Sequence, residues 1–365
     1  MKIILKIMLV IFIFTGCTQV NYSVQEYVPQ NNNTTKNSVD QSGEKSFWNS
    51  NQDASVNNVD EIAIIFPSHT IGKYALEATN SISTYLINKD NEFTLSVYDI
   101  IVQNKKNILD VVEKLKKDNV KKVIAMITKD DIDELYNITG IEDITFYFPL
   151  INKYDLPNKD KFNNHNFTFG AISYKDQFKK LIEFAAEKKL VEFYGSSAIG
   201  RTLHNYLKNE TIVYTKKIDD NNGQYQSFLK ENEKLDDSVV LLNTPIVKSS
   251  ILLSAINAEE LEISSIVSTQ LNYTPLLFSL TQKNDRTKLV IANSIGNIPD
   301  ELEEYNTLIG NNLSYSWVNY ATIVGVEYLL NGEIDIFADL LLKEKQVVYP
   351  VNLFRIGNNS FRRIQ

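Results

Sequence analysis

The chain has 365 residues, 43% of them hydrophobic, 22% charged and 11% aromatic. That apolar fraction excludes wholesale disorder, and the length suits a two-lobed protein or two domains better than one small module. Lys and Arg number 37 against 45 Asp and Glu, a net charge of −8, the reverse of the bias that phosphate contacts demand of a nucleic-acid binder. A single cysteine excludes an intramolecular disulfide and a Cys-rich zinc site. The three histidines, His69, His165 and His204, are widely spaced. No metal, no cofactor and no nucleic-acid partner is expected.

The cysteine stands at position 17, after MKIILKIMLVIFIFTG. Lys2 and Lys6 precede an apolar run of eight residues, Ile7 to Phe14, then the small pair Thr15-Gly16. Eight helical residues cover roughly 12 Å, far short of a bilayer core of about 30 Å, so the segment reads as a secretion signal and not a membrane span. Small residues directly before Cys17 resemble the lipobox of bacterial lipoproteins, with Phe14 where Leu is usual. That resemblance implies cleavage of residues 1–16 and a lipid, palmitate among its acyl chains, on Cys17. Thr18, where Asp would be an inner-membrane retention signal, resembles an outer-membrane sorting context. Losing Lys2 and Lys6 takes the charge from −8 to −10, which leaves the lipid as the expected membrane contact.

From residue 18 to 60 the composition shifts: 20 of these 43 residues are Asn, Gln or Ser, without apolar periodicity. Such a stretch buries too little apolar surface to offset its ordering entropy. Residues 17–60 therefore read as lipidated Cys plus disordered tether, with a root-mean-square span of about 35 Å. Phe47-Trp48 is its one aromatic spot.

Regular patterning starts at Glu61. Ile62–Phe66 is a continuous apolar run, the mark of a strand buried on both faces. Ile71, Ala75, Ala78, Ile82 and Tyr85 form one helical stripe. Thr94–Tyr98 predicts a second strand, Ile108, Val111, Val112 and Leu115 a second helix, Val123–Ile127 a third strand. A short helix follows from Asp130, then a strand over Ile144–Phe148 that Pro149 stops. The alternation restarts with a strand at Phe167–Ala171 and a helix whose Ser173 and Asp176 make a capping box. Further strands are expected at Leu190–Tyr194, Ile212–Tyr214, Val239–Leu242, Ile263–Ser268 and Leu289–Ala292. Gly195-Ser196-Ser197 opens a helix through Leu207, and a long apolar helix covers Trp317–Leu330. Val347–Phe354 reads as extended and Gly357-Asn358-Asn359 as a turn. Alternation of this kind predicts an α/β fold, a doubly wound parallel sheet in each of two halves.

Several stretches together resemble the type I periplasmic binding protein family, whose members include branched-chain amino acid binders and the penicillin-binding protein activator lipoproteins. They are Ile64-Ile65-Phe66-Pro67-Ser68 with Gly72, Phe167 to Gln177, Tyr194-Gly195 with Gly200-Arg201, Tyr320-Ala321 to Leu330, and Leu353-Phe354-Arg355-Ile356-Gly357-Asn358. The resemblance implies two lobes, the first from 61–170 plus about 295–349, the second from about 171–294 plus 350–365. Two departures stand out. Amino acid binders of the family have Gly-x-x-Ser after the third strand, where this chain reads Met126-Ile127-Thr128-Lys129-Asp130-Asp131. After the fourth strand they present hydroxyls, where this chain has apolar Phe148-Pro149-Leu150-Ile151.

Catalytic signatures are missing. There is no Gly-x-Ser-x-Gly, no Walker A, no Gly-x-Gly-x-x-Gly and no His-Glu-x-x-His. The pairs Asp130-Asp131, Asp219-Asp220 and Glu303-Glu304 read as solvated faces or turns. Ligands of open α/β sheets sit beyond the strand carboxyl ends. That rule selects Ser68, His69, Thr70, Thr128, Lys129, Ser196, Ser197, Thr244 and Ser294, with Tyr174 at the lobe crossing as a cover. Ser196, Ser197 and Thr244 equally suit helix N-caps, and His69 a plain loop. Two functions are consistent with this set. One is a non-catalytic envelope lipoprotein acting on a protein partner, of the peptidoglycan synthase type that the resemblance implies. The other is a solute-binding or sensing lipoprotein that closes on a small polar ligand.

Overall fold

The computed structural model describes residues 59–89, 92–164, 166–219 and 225–364, and of Asn164 only its backbone. The predicted signal, Cys17 and nearly all of the predicted tether lie outside these residues, as does His165.

Two seven-stranded sheets carry the fold. The first is built on β1 (Asp60–Phe66), β2 (Phe93–Asp99), β3 (Lys122–Ala125), β4 (Thr145–Phe148) and β5 (Phe167–Phe169). These run parallel in the order β2-β1-β3-β4-β5. The second repeats that order with β6 (Lys189–Gly195), β7 (Ile212–Ile218), β8 (Ser238–Asn243), β9 (Ser265–Ser268) and β10 (Leu289–Asn293) as β7-β6-β8-β9-β10. The last four strands finish both sheets. β11 (Leu341–Lys343) and β12 (Gln346–Val348) extend the first beyond β5, and β13 (Asn352–Ile356) and β14 (Phe361–Arg363) extend the second beyond β10. The chain therefore passes between sheets three times, after β5, after β10 and after β12.

Ten helices, among the described residues, connect the strands: α1 (Ser68–Asn88), α2 (Lys105–Lys117), α3 (Ile132–Tyr136), α4 (Tyr174–Ala185), α5 (Ala198–Tyr206), α6 (Gln226–Leu229), α7 (Ile246–Ala258), α8 (Leu276–Leu280), α9 (Asp300–Leu308) and α10 (Trp317–Asn331). The local chemistry follows the sequence closely. The predicted stripe Ile108, Val111, Val112 and Leu115 is the buried face of α2. Ser173 caps α4 by accepting from the Asp176 N–H. In β1 the continuous apolar run feeds two cores at once: Ile62 and Ile64 face one, Ala63 and Ile65 the other. β8 does the same in the second sheet, with Val239 and Leu241 on one face and Val240 and Leu242 on the other. A strand covered on both faces has no polar side to show, which is why alternation is missing from these runs.

Corrections to the sequence reading sit at edges and junctions. β1 begins at Asp60, whose N–H donates to the Glu92 carbonyl, one residue inside the segment read as tether. The extended Val347–Phe354 is two strands in different sheets, with Tyr349-Pro350-Val351 as the crossing between them. Strands β11 and β14 and helices α8 and α9 carry too few apolar residues, or too short a run, to show in the pattern. α10 is buried over most of its length and lies against α1, β1, β3 and β4. Gly325 permits this. A Cβ there, or at Gly170, would drive into the ring or hydroxyl of Tyr147, which is fully buried between them.

Candidate functional site

Tyr174 aside, the predicted cleft residues follow the carboxyl ends of strands in the two sheets, but they are not one set of free groups. After β1, Pro67 starts a single turn in which the Thr70 and Ile71 N–H groups both donate to its carbonyl. Ile71 is non-helical at φ −133°, so α1 proper starts at Gly72 and Ser68-His69-Thr70 forms a separate cap. Asp99 at the end of β2 holds this cap by accepting from the Ser68 and Ile101 N–H groups at 3.0 and 2.6 Å. Ile101 pays for that with φ 62°, a rare conformation for a β-branched residue. Ser68 is half-buried, and His69 and Thr70 are exposed.

After β3, Thr128 turns inward upon its own loop. Its hydroxyl donates to Asp131 Oδ2 at 2.9 Å, and Gln103 donates to the same oxygen at 2.5 Å. Burial raises the Asp131 carboxyl above its usual value, Asp130 and Glu134 add to that, and the Thr128 hydrogen bond opposes it. Lys129 is exposed. After β4, Phe148 and Ile151 are buried in the core, so this wall presents no hydroxyl.

The second lobe spends its candidates internally. Ser197 is the N-cap of α5 and accepts from the Gly200 N–H at 3.3 Å. Ser196 is half-exposed and its carbonyl accepts from Arg201. Thr244 is fully buried, with its hydroxyl 2.7 Å from Ser249 Oγ, and Asn272 donates to the Thr244 carbonyl and to Ser249. Ser294, also buried, accepts from Gln177 Nε2 at 2.9 Å, and Gln270 joins both. This buried amide relay ties α4 to the turn after β9 and to the crossing after β10. Isolated candidates chosen as hydroxyls near strand ends therefore include two that are structural polar links.

Three side chains that the sequence did not single out close the lobes. Asp155, in the turn after β4, accepts from Lys175 Nζ at 2.6 Å and from the Tyr206 hydroxyl at 2.7 Å, so α4 and α5 of the second lobe both grip a carboxylate of the first. Lys175 also lies 5.2 Å from the Tyr206 ring centre. Burial, with the Asp155 hydrogen bond adding, holds the Tyr206 phenol well above its usual range. Tyr174 beside them packs on the cores of both lobes, and the Trp317 indole hydrogen-bonds its hydroxyl. No local pattern marks Asp155, since its partners lie 20 and 51 residues away. His204 is not at the cleft rim: its Nδ1 sits 2.7 Å from fully buried Glu192, and its ring stacks on Tyr194 at 4.1 Å.

Three cavities open among the described residues. One of about 370 Å³ opens at the amino end of β9, over Leu253, Ile256 and Ile263. One of about 250 Å³ lies beside the second crossing, against Gly296 and Asn352. A third of about 440 Å³ is on the β7 edge, against Tyr214 and Phe228. None of the three is lined by a predicted cleft residue. Among the described residues no cluster of His, Cys, Asp and Glu has metal-holding geometry, and no helix is long and apolar enough to cross a membrane.

Folds of this kind are known. A structure assigned to a branched-chain amino acid ABC transporter of Rhodospirillum rubrum superposes with a TM-score of 0.65 at 11% identity, covering 84% of this chain and 100% of that one. The substrate-binding protein LivJ of Streptococcus pneumoniae, in complex with isoleucine, gives 0.58 at 10% identity, with 84% and 99% covered. LpoA of Haemophilus influenzae gives 0.56 at 9% identity, and this chain spans 59% of it. No protein-family model and no curated protein sequence matches the chain. The chain thus has the two-lobed α/β fold of the type I periplasmic binding proteins.

Proposed function

We propose that the chain is a non-catalytic lipoprotein of the bacterial envelope, lipidated on Cys17, whose two-lobed domain acts by contact with a protein partner such as a peptidoglycan synthase. The observation that carries this reading is that few of the predicted cleft groups are free. Asp155 is gripped by Lys175 and Tyr206, Thr244 and Ser294 are consumed in buried hydrogen bonds, and Phe148 and Ile151 are apolar and buried. An amino acid's carboxylate and ammonium need several convergent polar groups, and few remain here. The fold shared with LpoA adds support at the level of architecture. The lipobox-like Thr15-Gly16-Cys17 and the polar segment after it suit a domain held off an outer membrane on its periplasmic side.

The test is photo-crosslinking in envelope preparations from labels at exposed Lys129 and Ala198, in wild type and in Cys17→Ser. The expected result is one crosslinked envelope partner that purified chain also binds, lost when Cys17→Ser leaves the membrane fraction. Purified chain that binds no crosslinked species sinks the reading. The solute-binding alternative draws on exposed His69 and Thr70 and half-exposed Ser68 and Ser196. It requires a thermal shift with amino acids, amides, sugars or muropeptides that substitution of Thr70 or Ser196 by Trp abolishes.

A further inference from the structure

Three of the chain's five arginines, Arg355, Arg362 and Arg363, stand within one nine-residue span, and residues 346–365 contain no Asp or Glu. All three are exposed on the hairpin of β13 and β14. Antiparallel pairing sets Arg362 directly opposite Arg355, so their side chains share one face, while Arg363 pairs with Phe354 on the other. Like charges directly opposite each other destabilise a sheet. No carboxylate offsets them here: among the described residues none of the three takes part in a salt bridge. Charge on an outer strand guards it against pairing with a copy of itself. Arg355, however, stands on β13, whose edge β14 already covers, so guarding does not account for it.

The same hairpin offers free backbone. β14 is the outer strand of the second sheet. The Gly357 N–H donates to the Ser360 carbonyl and the Ile364 N–H to the Leu353 carbonyl, both at 2.8 Å. That phase points the N–H and C=O of Phe361 and Arg363 away from β13, toward the open edge. The strand is also held in place. The Phe361 ring packs against Tyr273, Phe278 and Tyr315, with ring centres 4.2, 5.0 and 5.9 Å away. Buried Arg286 donates from Nη2 to the Asn358 carbonyl in the turn at 2.7 Å. An edge already fixed loses little freedom when another strand joins it. We propose that β14 is the docking edge for an extended acidic segment of a partner protein. The segment pairs with Phe361 and Arg363 through backbone and sets carboxylates against Arg362 and Arg355. Charge selects this occupant, since the arginines repel a second copy of the same edge and attract a carboxylate. The proposal deepens the partner reading and rests on it for the source of the segment.

Calorimetric titration of the full chain tests it with a capped octapeptide of alternating Glu and Thr, whose carboxylates fall on one face of a strand. A Gln-Thr octapeptide removes the charge, and a Glu-Pro octapeptide keeps the charge but loses half of its backbone donors. The expected result is binding of the Glu-Thr peptide, with both controls at least tenfold weaker. Arg355→Gln and Arg362→Gln each weaken it about tenfold, the loss of one charge-assisted hydrogen bond. Both side chains are exposed, so both variants keep the far-ultraviolet circular dichroism of the wild type. Arg363→Pro, which removes an outward N–H and no bond to β13, weakens binding more than Arg363→Gln. No binding of the Glu-Thr peptide at millimolar concentration, equal binding of either control, or affinity unchanged in Arg355→Gln and Arg362→Gln overturns the proposal. So does a chain that ignores the peptide but binds phosphatidylglycerol vesicles through these arginines. The titration uses purified chain alone, so its failure leaves capture of an envelope partner standing, and failed capture leaves the titration standing.

Discussion

Asp155→Ala should loosen the lobes. The carboxylate accepts two hydrogen bonds from the other lobe, and the two are not equal. Lys175 is 51% exposed at its side chain, so its pair with Asp155 is screened and contributes about 0.2–1 kcal/mol. Tyr206 is partly buried, and its O–H donates to an ionised group, which places that bond at about 1.5–3 kcal/mol. A total near 2 kcal/mol shifts the ratio of closed to open lobes about 30-fold. Two measurements check this. A double-mutant cycle with Asp155→Ala and Tyr206→Phe, read by urea unfolding, should give a coupling of about 1 kcal/mol or more. Spin labels at exposed Lys129 and Ala198, in a Cys17→Ser background, should show a longer and broader distance distribution in Asp155→Ala. Coupling within about 0.5 kcal/mol of zero, together with an unchanged distance distribution, would refute the claim that this contact holds the lobes.

Gly325→Ala places a methyl group inside the buried Tyr147 ring, which Gly170 pins from the other side. A loss of about 3 kcal/mol in urea unfolding is expected, and a loss below about 0.5 kcal/mol contradicts the packing. His204→Ala leaves fully buried Glu192 with Asn243 as its remaining partner at 2.9 Å, and should cost about 1–3 kcal/mol; a neutral effect counts against that pair. Asp131 titrates higher in the folded chain than its ordinary 3.8 because burial opposes its charge. The folded state then holds more protons than the unfolded one in that window. Its contribution to stability therefore declines as pH rises from about 3.8 through the folded value. Asp131→Asn should flatten that part of the stability profile, and an unchanged slope argues that the carboxyl is not desolvated.

Much of the fold was legible because it rests on local rules. Continuous apolar runs in β1 and β8 announced strands covered on both faces, and the Ser173 cap and the α2 stripe lie where spacing put them. Short edge strands β11 and β14 were not legible, because they are mostly exposed and show no buried apolar run, being held by antiparallel pairing to β12 and β13. The site divides in the same way. Hydroxyls at strand ends can be picked out by position, but N-cap, relay and exposed loop hydroxyl are one residue type in sequence. Ser197, Ser294 and Thr70 look alike until their neighbours arrive.

By itself the sequence determined the alternation of elements and the lipobox-like Cys17, since each depends on residues adjacent or a helical turn apart, while the two-lobed plan came from the family resemblance. Tertiary structure alone decided that Asp155 meets Lys175 and Tyr206 and that Gln177 reaches Gln270 and Ser294. Those meetings depend on where three chain crossings bring distant segments together. Charge and hydrogen-bonding capacity are properties of a residue, whereas satisfaction of that capacity is a property of its neighbours in space.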